Sequence, residues 1–177
     1  MRKTILYIAM SLDGFIADSL GEVDWLQGDG SDPENPGTYD SFVETVDTVV
    51  MGRTTYEQIT EELSPNVWPY PGLECFVITE RPFLETEKIC ASDNPVELVD
   101  RLKKRPGWDI WIAGGAKLVQ SLLKADRIDQ FRITIIPVIL GCGIRLFEYL
   151  PESIPLKLMG TVTSNGMAEL IYERRPD

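Results

Sequence analysis

The order of elements in this sequence predicts an α/β fold, built on a mostly parallel sheet with helices on both faces and closed by an antiparallel C-terminal hairpin. Three observations carry that expectation. Short apolar runs alternate with amphipathic segments along most of the chain, as βα units do. One such unit, residues 110–123 (IWIAGGAKLVQSLL), passes from a buried strand through Gly114 and Gly115 directly into a helix. Near the C-terminus, apolar stretches at 156–164 and 167–174 flank Asn165-Gly166, the strongest short signal for a hairpin.

Taken in order, residues 5–10 form a nearly continuous apolar run, as a strand covered on both faces does. Ser-Leu-Asp-Gly at 11–14 breaks it, and Phe15, Ile16 and Ala17 resume it briefly. Residues 18–36 turn to Gly, Asp, Pro, Ser and Asn, with Trp25 and Leu26 as their large apolar pair. A loop this long inside a compact domain is usually functional, and Trp25 either folds over a ligand or pins the loop to the core. Tyr39, Phe42, Val43 and Val46 recur at helical spacing, which predicts a helix from near Thr38. Residues 48–51 follow as a strand, and Thr54-x-x-Glu57 reads as a capping box opening the next helix. A proline-rich surface loop occupies 64–72, and 74–78 is the third strand. Asn94, Pro95 and Glu97 begin a helix whose buried side is Leu98, Val99 and Leu102. Beyond 110–123, a β-rich run at 128–140 is interrupted by Pro137 and turned by Gly141 and Gly143.

Composition narrows the function. At 177 residues the chain fits one domain, 1–177, with a sizeable core. A net charge of −11 argues against nucleic acid, which needs clustered Lys and Arg. Total absence of histidine removes Ser-His-Asp and Cys-His catalysis and His-containing zinc sites, and no metal is expected. Cys75, Cys90 and Cys142 have no C-x-x-C spacing and read as reduced packing thiols of a cytoplasmic protein. The N-terminal MRKTILYIAMSLDG imitates a signal peptide but stops at Asp13, so a first strand is the better reading. No apolar segment is long enough to span a bilayer, and no membrane partner is expected.

In open parallel sheets ligands bind at the carboxyl ends of the strands. Here those ends carry residues 11–14, 52–55, 79–81 and 114–117. Gly114, Gly115 and Ala116 let backbone amides approach a pyrophosphate, and Lys117 adds charge. Arg53, Thr54, Thr55, Thr79 and Arg81 suit a second phosphate, as the 2′-phosphate of NADPH requires. Each residue alone reads first as a cap or a solvated charge, and their meeting at successive strand ends favours the cofactor. Neither G-x-G-x-x-G after the first strand nor G-x-x-x-x-G-K-[ST] is present, which disfavours the usual Rossmann mode and excludes a P-loop.

Ala9-Met10-Ser11-Leu12-Asp13-Gly14, Val50-Met51-Gly52-Arg53-Thr54-Thr55-Tyr56-Glu57, Ile78-Thr79, Ile112-Ala113-Gly114-Gly115 and Pro137 to Gly143 with Phe147 appear in one order along most of the chain. With these motifs the sequence resembles the dihydrofolate reductase-like superfamily, and within it the stand-alone relatives of the riboflavin-biosynthesis reductase domain. The resemblance implies a three-layer α/β/α domain that holds NADPH at 52–55, at 79–81 and at 114–118, ending on Leu118. It also implies a cis peptide between Gly114 and Gly115, a nicotinamide near Ala9 and the 11–16 loop, and a homodimer.

The activity expected from it is hydride transfer to a C=N or C=O carbon of a small pyrimidine- or pteridine-type heterocycle, as in 5-amino-6-(5-phosphoribosylamino)uracil reductase. Without histidine, the proton comes from a carboxyl, a hydroxyl or water. Asp13, which with Gly14 also suits a turn, is the first candidate donor and Asp40 the second, and Ser11 either orients a substrate carbonyl or caps the loop. Two departures stand out. Folate reductases carry an acid on the first helix after Pro-Trp-x-Leu-Pro, whereas residues 23–28 read Val-Asp-Trp-Leu-Gln-Gly and Asp40 stands in an unmatched register. The riboflavin branch usually has Glu before the paired glycines, where this chain has Ala113, and its substrate side offers few cations beyond Arg132 or Arg145. Folate reduction proper and a non-catalytic, nucleotide-binding dimeric scaffold are the alternatives.

Overall fold

The chain runs β1 (Thr4–Ser11), β2 (Phe15–Ala17), α1 (Tyr39–Val43), β3 (Val46–Gly52), α2 (Arg53–Gln58), β4 (Glu74–Ile78), β5 (Ile89–Ser92), α3 (Pro95–Lys104), β6 (Asp109–Gly114), α4 (Ala116–Lys124), β7 (Gln130–Ile136), β8 (Ile144–Arg145), β9 (Leu156–Ser164) and β10 (Met167–Arg174). This computed structural model describes residues 1–35 and 37–175, so the Pro36 end of the expected long loop lies outside the described residues. Eight strands form one sheet in the order β5-β4-β3-β6-β1-β7-β10-β9. The pairs from β5 to β7 are all parallel, and β10 runs antiparallel to both β7 and β9. β2 and β8 make a small antiparallel pair of their own.

Alternation along β1 sends Leu6, Ile8 and Met10 to one face and Ile5 and Tyr7 to the other. The first face packs against α3 and α4 through Leu98, Val99, Leu102, Leu118, Val119 and Leu122. The second packs against Phe42 of α1 with Ile59 and Trp111. Full burial of such side chains stabilises the fold by about 1.5–3 kcal/mol each. Helices thus cover both faces of the sheet, as the alternating elements predict.

Several local expectations change. The first helix is shorter than its periodicity suggests, because Val46 already belongs to β3, where its β-branched neighbours Thr48, Val49 and Val50 pair with β6. Thr54 is not a cap: Gly52 holds that position in an extended conformation, and Thr54 is exposed within the helix. After Gln58 the helix widens into a π-helical turn, Ile59–Leu63. β5 has no counterpart in the sequence reading. Pro137 ends β7 at Ile136, and the chain leaves the sheet there. Asn94 does cap α3, its side-chain oxygen accepting from the Val96 and Glu97 amides at 3.1 and 3.2 Å. The Asn165-Gly166 turn has φ of 48° and 76°, the positive pair that a tight hairpin turn of this hand needs. Cys75 is buried, which pushes its thiol up to about 12, but Cys142 is exposed and does not pack in the core.

Because the strands from β5 to β7 share a direction, their carboxyl ends share a rim, which carries Ser11, Gly52, Ile78, Ser92, Gly114 and Ile136.

Candidate active site

Two helix starts meet on that rim. Gly52 precedes α2 and Gly115 precedes α4, and neither helix has a side-chain cap. The first amides of each therefore lack intrahelical partners, the arrangement that suits an anion. The glycines face each other closely: a Cβ on Gly52 would stand 3.6 Å from the Gly115 nitrogen and 3.8 Å from the Gly114 oxygen. A Cβ on Gly115 would lie 3.5 Å from the Thr55 hydroxyl oxygen and 3.9 Å from Ile16 Cδ1. Gly114 has φ of +108°, a conformation open mainly to glycine. The Gly114–Gly115 peptide is cis, as the resemblance implies. Side chains of Ala116 and Leu118 are buried in the core, so only their backbone can serve the rim. Lys117 is exposed beside them.

Arg53 lies at the start of α2, where its Nε donates to Glu57 at 2.6 Å and its Nη1 to the Pro82 carbonyl at 2.8 Å. Its guanidinium also rests 5.9 Å from the Phe83 ring centroid. Arg81, two-thirds exposed, comes within 3.9 Å of the same Glu57 carboxylate. The Thr79 hydroxyl accepts from the Arg81 amide at 3.1 Å and so shapes the turn after β4. Arg53 and Arg81 thus gather around one acidic group, with Thr79 shaping the turn that carries Arg81, Thr55 beside Gly115, and Thr54 facing solvent.

The expected proton donors are placed differently. Asp13 accepts from the Ser11 hydroxyl at 2.7 Å, the Leu140 amide at 3.1 Å and the Gly141 amide at 2.7 Å. These donors, led by Ser11, hold its carboxyl down at about 2. Such a group is ionised at neutral pH and carries no proton to give. Asp13 is a tie between the β1–β2 turn and the 138–141 segment, which the Leu12 amide also joins through the Val138 carbonyl at 2.9 Å. Ser11 is fully buried, giving its proton to Asp13 and accepting from the Phe15 amide at 2.9 Å, so it has no proton left for a substrate carbonyl. Asp40 is exposed on α1. Trp25 gives its indole N–H to the Glu22 carbonyl at 3.1 Å, holding the loop to itself.

One polar cluster escapes the sequence reading except for Arg132, named there as a substrate-side cation. Glu169 on β10 is 5% exposed, accepts from Arg132 Nε at 2.7 Å and is hydrogen bonded to the Thr38 hydroxyl. That hydroxyl lies 3.2 Å from the Tyr7 hydroxyl, and the Arg132 guanidinium lies over the Tyr7 and Phe42 rings. An acid in a C-terminal hairpin looks like a solvent-facing residue, and only its register opposite Thr134 of β7 turns it inward.

A family model described as the RibD C-terminal domain matches residues 2–167. This chain belongs to that family. Two Bacillus subtilis (strain 168) proteins of similar length resemble it: YwjB is 44% identical over 98% of both chains, and YyaP is 34% identical over 97% of this chain and 94% of its own. A structure described as a riboflavin biosynthesis protein from Shewanella sp. PV-4 is 30% identical, with a TM-score of 0.83 over 98% of this chain and 99% of its own. The diaminohydroxyphosphoribosylaminopyrimidine deaminase/5-amino-6-(5-phosphoribosylamino)uracil reductase of Thermotoga maritima matches 98% of this chain and 57% of its own, with a TM-score of 0.70 and 18% identity. The fold of this RibD C-terminal domain is therefore the dihydrofolate reductase-like α/β fold. Among the described residues no group of acids and thiols is arranged to hold a metal ion, and no helix is long and apolar enough to cross a membrane.

Proposed function

We propose that this RibD C-terminal domain is an NADPH-dependent reductase acting on a C=N or C=O carbon of a small pyrimidine- or pteridine-type heterocycle. The reaction class is that named for the Thermotoga maritima neighbour, a phosphoribosylaminouracil reductase. The observation that carries the reading is the bare-backbone cradle between Gly52 and the Gly114–Gly115 pair, set between two uncapped helix starts. A pyrophosphate would suit these helix starts because their first amides have no side-chain cap and the glycines add no side chain beside them. Arg53 and Arg81, with Thr55 and Thr79, would hold the 2′-phosphate, and Ala9 with the 11–16 loop would border the nicotinamide. When bound, NADPH supplies a hydride from the nicotinamide C4. The chain's own residues bind and orient the reactants, which is the large term in such a step.

We propose a homodimer as well. Edge strand β9 leaves Leu158 and Met159 about half exposed, which gives a second copy apolar surface to cover. Light scattering that returns the mass of a single chain at micromolar concentration would remove this assembly.

The deciding test is a fluorescence titration of the protein with NADPH and NADH, repeated on Arg53→Ala. Loss of a charge-assisted contact to phosphate weakens NADPH binding about 10- to 100-fold and leaves NADH binding unchanged. Equal affinity for the two coenzymes in the wild type removes the 2′-phosphate assignment. Binding without NADPH oxidation by any pyrimidine or pterin leaves only a nucleotide-binding scaffold.

A further inference from the structure

A cavity of about 170 Å³ lies between α1 and the C-terminal hairpin, bordered by Tyr7, Thr38, Tyr39, Thr134, Met167 and Glu169. We propose that this cavity is the substrate subsite, and that Glu169 with the Thr38 and Thr134 hydroxyls recognises the N–H edge of a single-ring amide or amidine heterocycle. The inference rests on the reductase reading for what happens to the ring, but its recognition chemistry stands on the cavity itself.

A carboxylate as buried as Glu169 is rare unless paired. Here the pairing is incomplete. Arg132 and Thr38 engage one oxygen each, while a carboxylate offers about four acceptor positions. The remaining capacity belongs to a residue that lines a cavity. Only a donor can use it, and a ring N–H beside an exocyclic amine or a second ring N–H presents two donors on one edge. The Thr134 hydroxyl can turn to donate or accept at a neighbouring ring atom, while Thr38, whose proton goes to Glu169, can still accept from one. Burial pushes the Tyr7 phenol up, so it stays protonated and gives its proton to the Thr38 hydroxyl, which keeps Thr38 turned toward Glu169.

Sheet register places this subsite beside the cofactor rim. Ala9 of β1 is in register with Thr134 of β7, and Thr134 with Glu169 of β10. Glu169 therefore lies two strands from Ala9, about 10 Å between backbones, which leaves the width of one ring system. The volume agrees, being well below the roughly 300 Å³ at which drug-sized pockets begin. Arg132 is the positioning residue. Its guanidinium is 5.4 Å from the Tyr7 ring centroid and 5.2 Å from that of Phe42, and these rings stack on each other at 4.1 Å. Held there, it aims the carboxylate and balances its charge. No sequence motif announces the arrangement, because its members come from β1, the segment before α1, β7 and β10.

The experiment uses calorimetry on the full chain with two probes, 2-aminopyrimidin-4-one, which has the N–H edge, and 1,3-dimethyluracil, which has the ring without it. Wild type is expected to bind the first at least about tenfold more tightly than the second. Glu169→Gln loses about tenfold or more of the affinity for the first probe, and Thr134→Val weakens it severalfold, while both keep the wild-type NADPH affinity. Equal binding of the two probes, or unchanged affinity in Glu169→Gln, overturns the proposal. Should Glu169→Gln lose its fold by circular dichroism, Thr134→Val decides, and unchanged affinity there overturns it. Discrimination between probes without NADPH binding supports the subsite and removes the reductase reading. NADPH binding without discrimination does the reverse.

Discussion

Arg53 donates to one oxygen of the Glu57 carboxylate at 2.6 Å, and Arg81 stands 3.9 Å from the other. The two cations assigned to the cofactor's 2′-phosphate are thus already bridged by an acid one helical turn beyond Arg53. An anion arriving there must share the guanidinium groups with Glu57 and feel its charge. Glu57→Gln is therefore expected to tighten NADPH binding about two- to fivefold, the worth of a half-exposed ion pair, with NADH unaffected. Fluorescence titration at low salt reads the change. Weaker NADPH binding would mean that Glu57 orients Arg53 for the phosphate rather than competing with it.

Asp13 gives a pH signature. Its pKa is about 2 in the fold against an ordinary 3.8. A carboxyl depressed by folding stabilises the native state above its unfolded value, and that contribution disappears as pH falls through the folded value. The difference in Tm between wild type and Asp13→Asn should hold steady above about pH 5 and shrink between about pH 4 and pH 2. Thermal melts across that range measure it. A difference independent of pH would show that the three donors around Asp13 do not depend on its charge.

The hairpin turn anchors the long loop as well as the sheet edge. Asn165 Oδ1 accepts from the Asp32 amide at 3.1 Å, and the Asn165 carbonyl accepts from the Asp29 amide at 3.0 Å. Asn165 also has φ of 48°, which costs other L-residues about 1–2 kcal/mol. Asn165→Ala should lose about that much stability and speed proteolysis near residues 29–32. Asn165→Gly keeps the backbone conformation but not the side-chain bond, so its loss should be smaller while its loop is still cut faster. Chemical denaturation and limited proteolysis separate the two effects.

The rim of strand ends and helix starts was legible in the sequence because each part is local: a strand, a glycine turn and a helix start lie within a few residues of one another. What was missed is what depends on distant partners. Asp13 becomes a candidate donor because histidine is absent, yet its carboxylate is held by the Leu140 and Gly141 amides, which no local pattern brings near. Glu169 looks like an outward residue of an edge hairpin until β7 places Arg132 against it. β5 is four half-buried residues with no clear alternation, and only its parallel pairing with β4 makes it a strand. Thr54-x-x-Glu57 has the letters of a capping box, but the extended end of β3 already supplies the helix start at Gly52, and Glu57 turns to Arg53 instead.

Gly52 offers a way to separate fold from function. Its φ of −72° and ψ of 156° suit any residue, so alanine there needs no unusual backbone. The added methyl would meet Gly115 N at 3.6 Å and Gly114 O at 3.8 Å, which is ordinary contact. Gly52→Ala is therefore expected to leave the protein as stable as wild type or more stable by about 0.4–1 kcal/mol, through the lost freedom of the unfolded chain. The same methyl would stand in the cradle proposed for the pyrophosphate. NADPH affinity should fall at least about tenfold in this variant, and NADH affinity should fall with it, because the two coenzymes share that group. This pattern differs from Arg53→Ala, which discriminates between the coenzymes. A Gly52→Ala protein that melts normally and binds both coenzymes as tightly as wild type would place the pyrophosphate elsewhere on the rim.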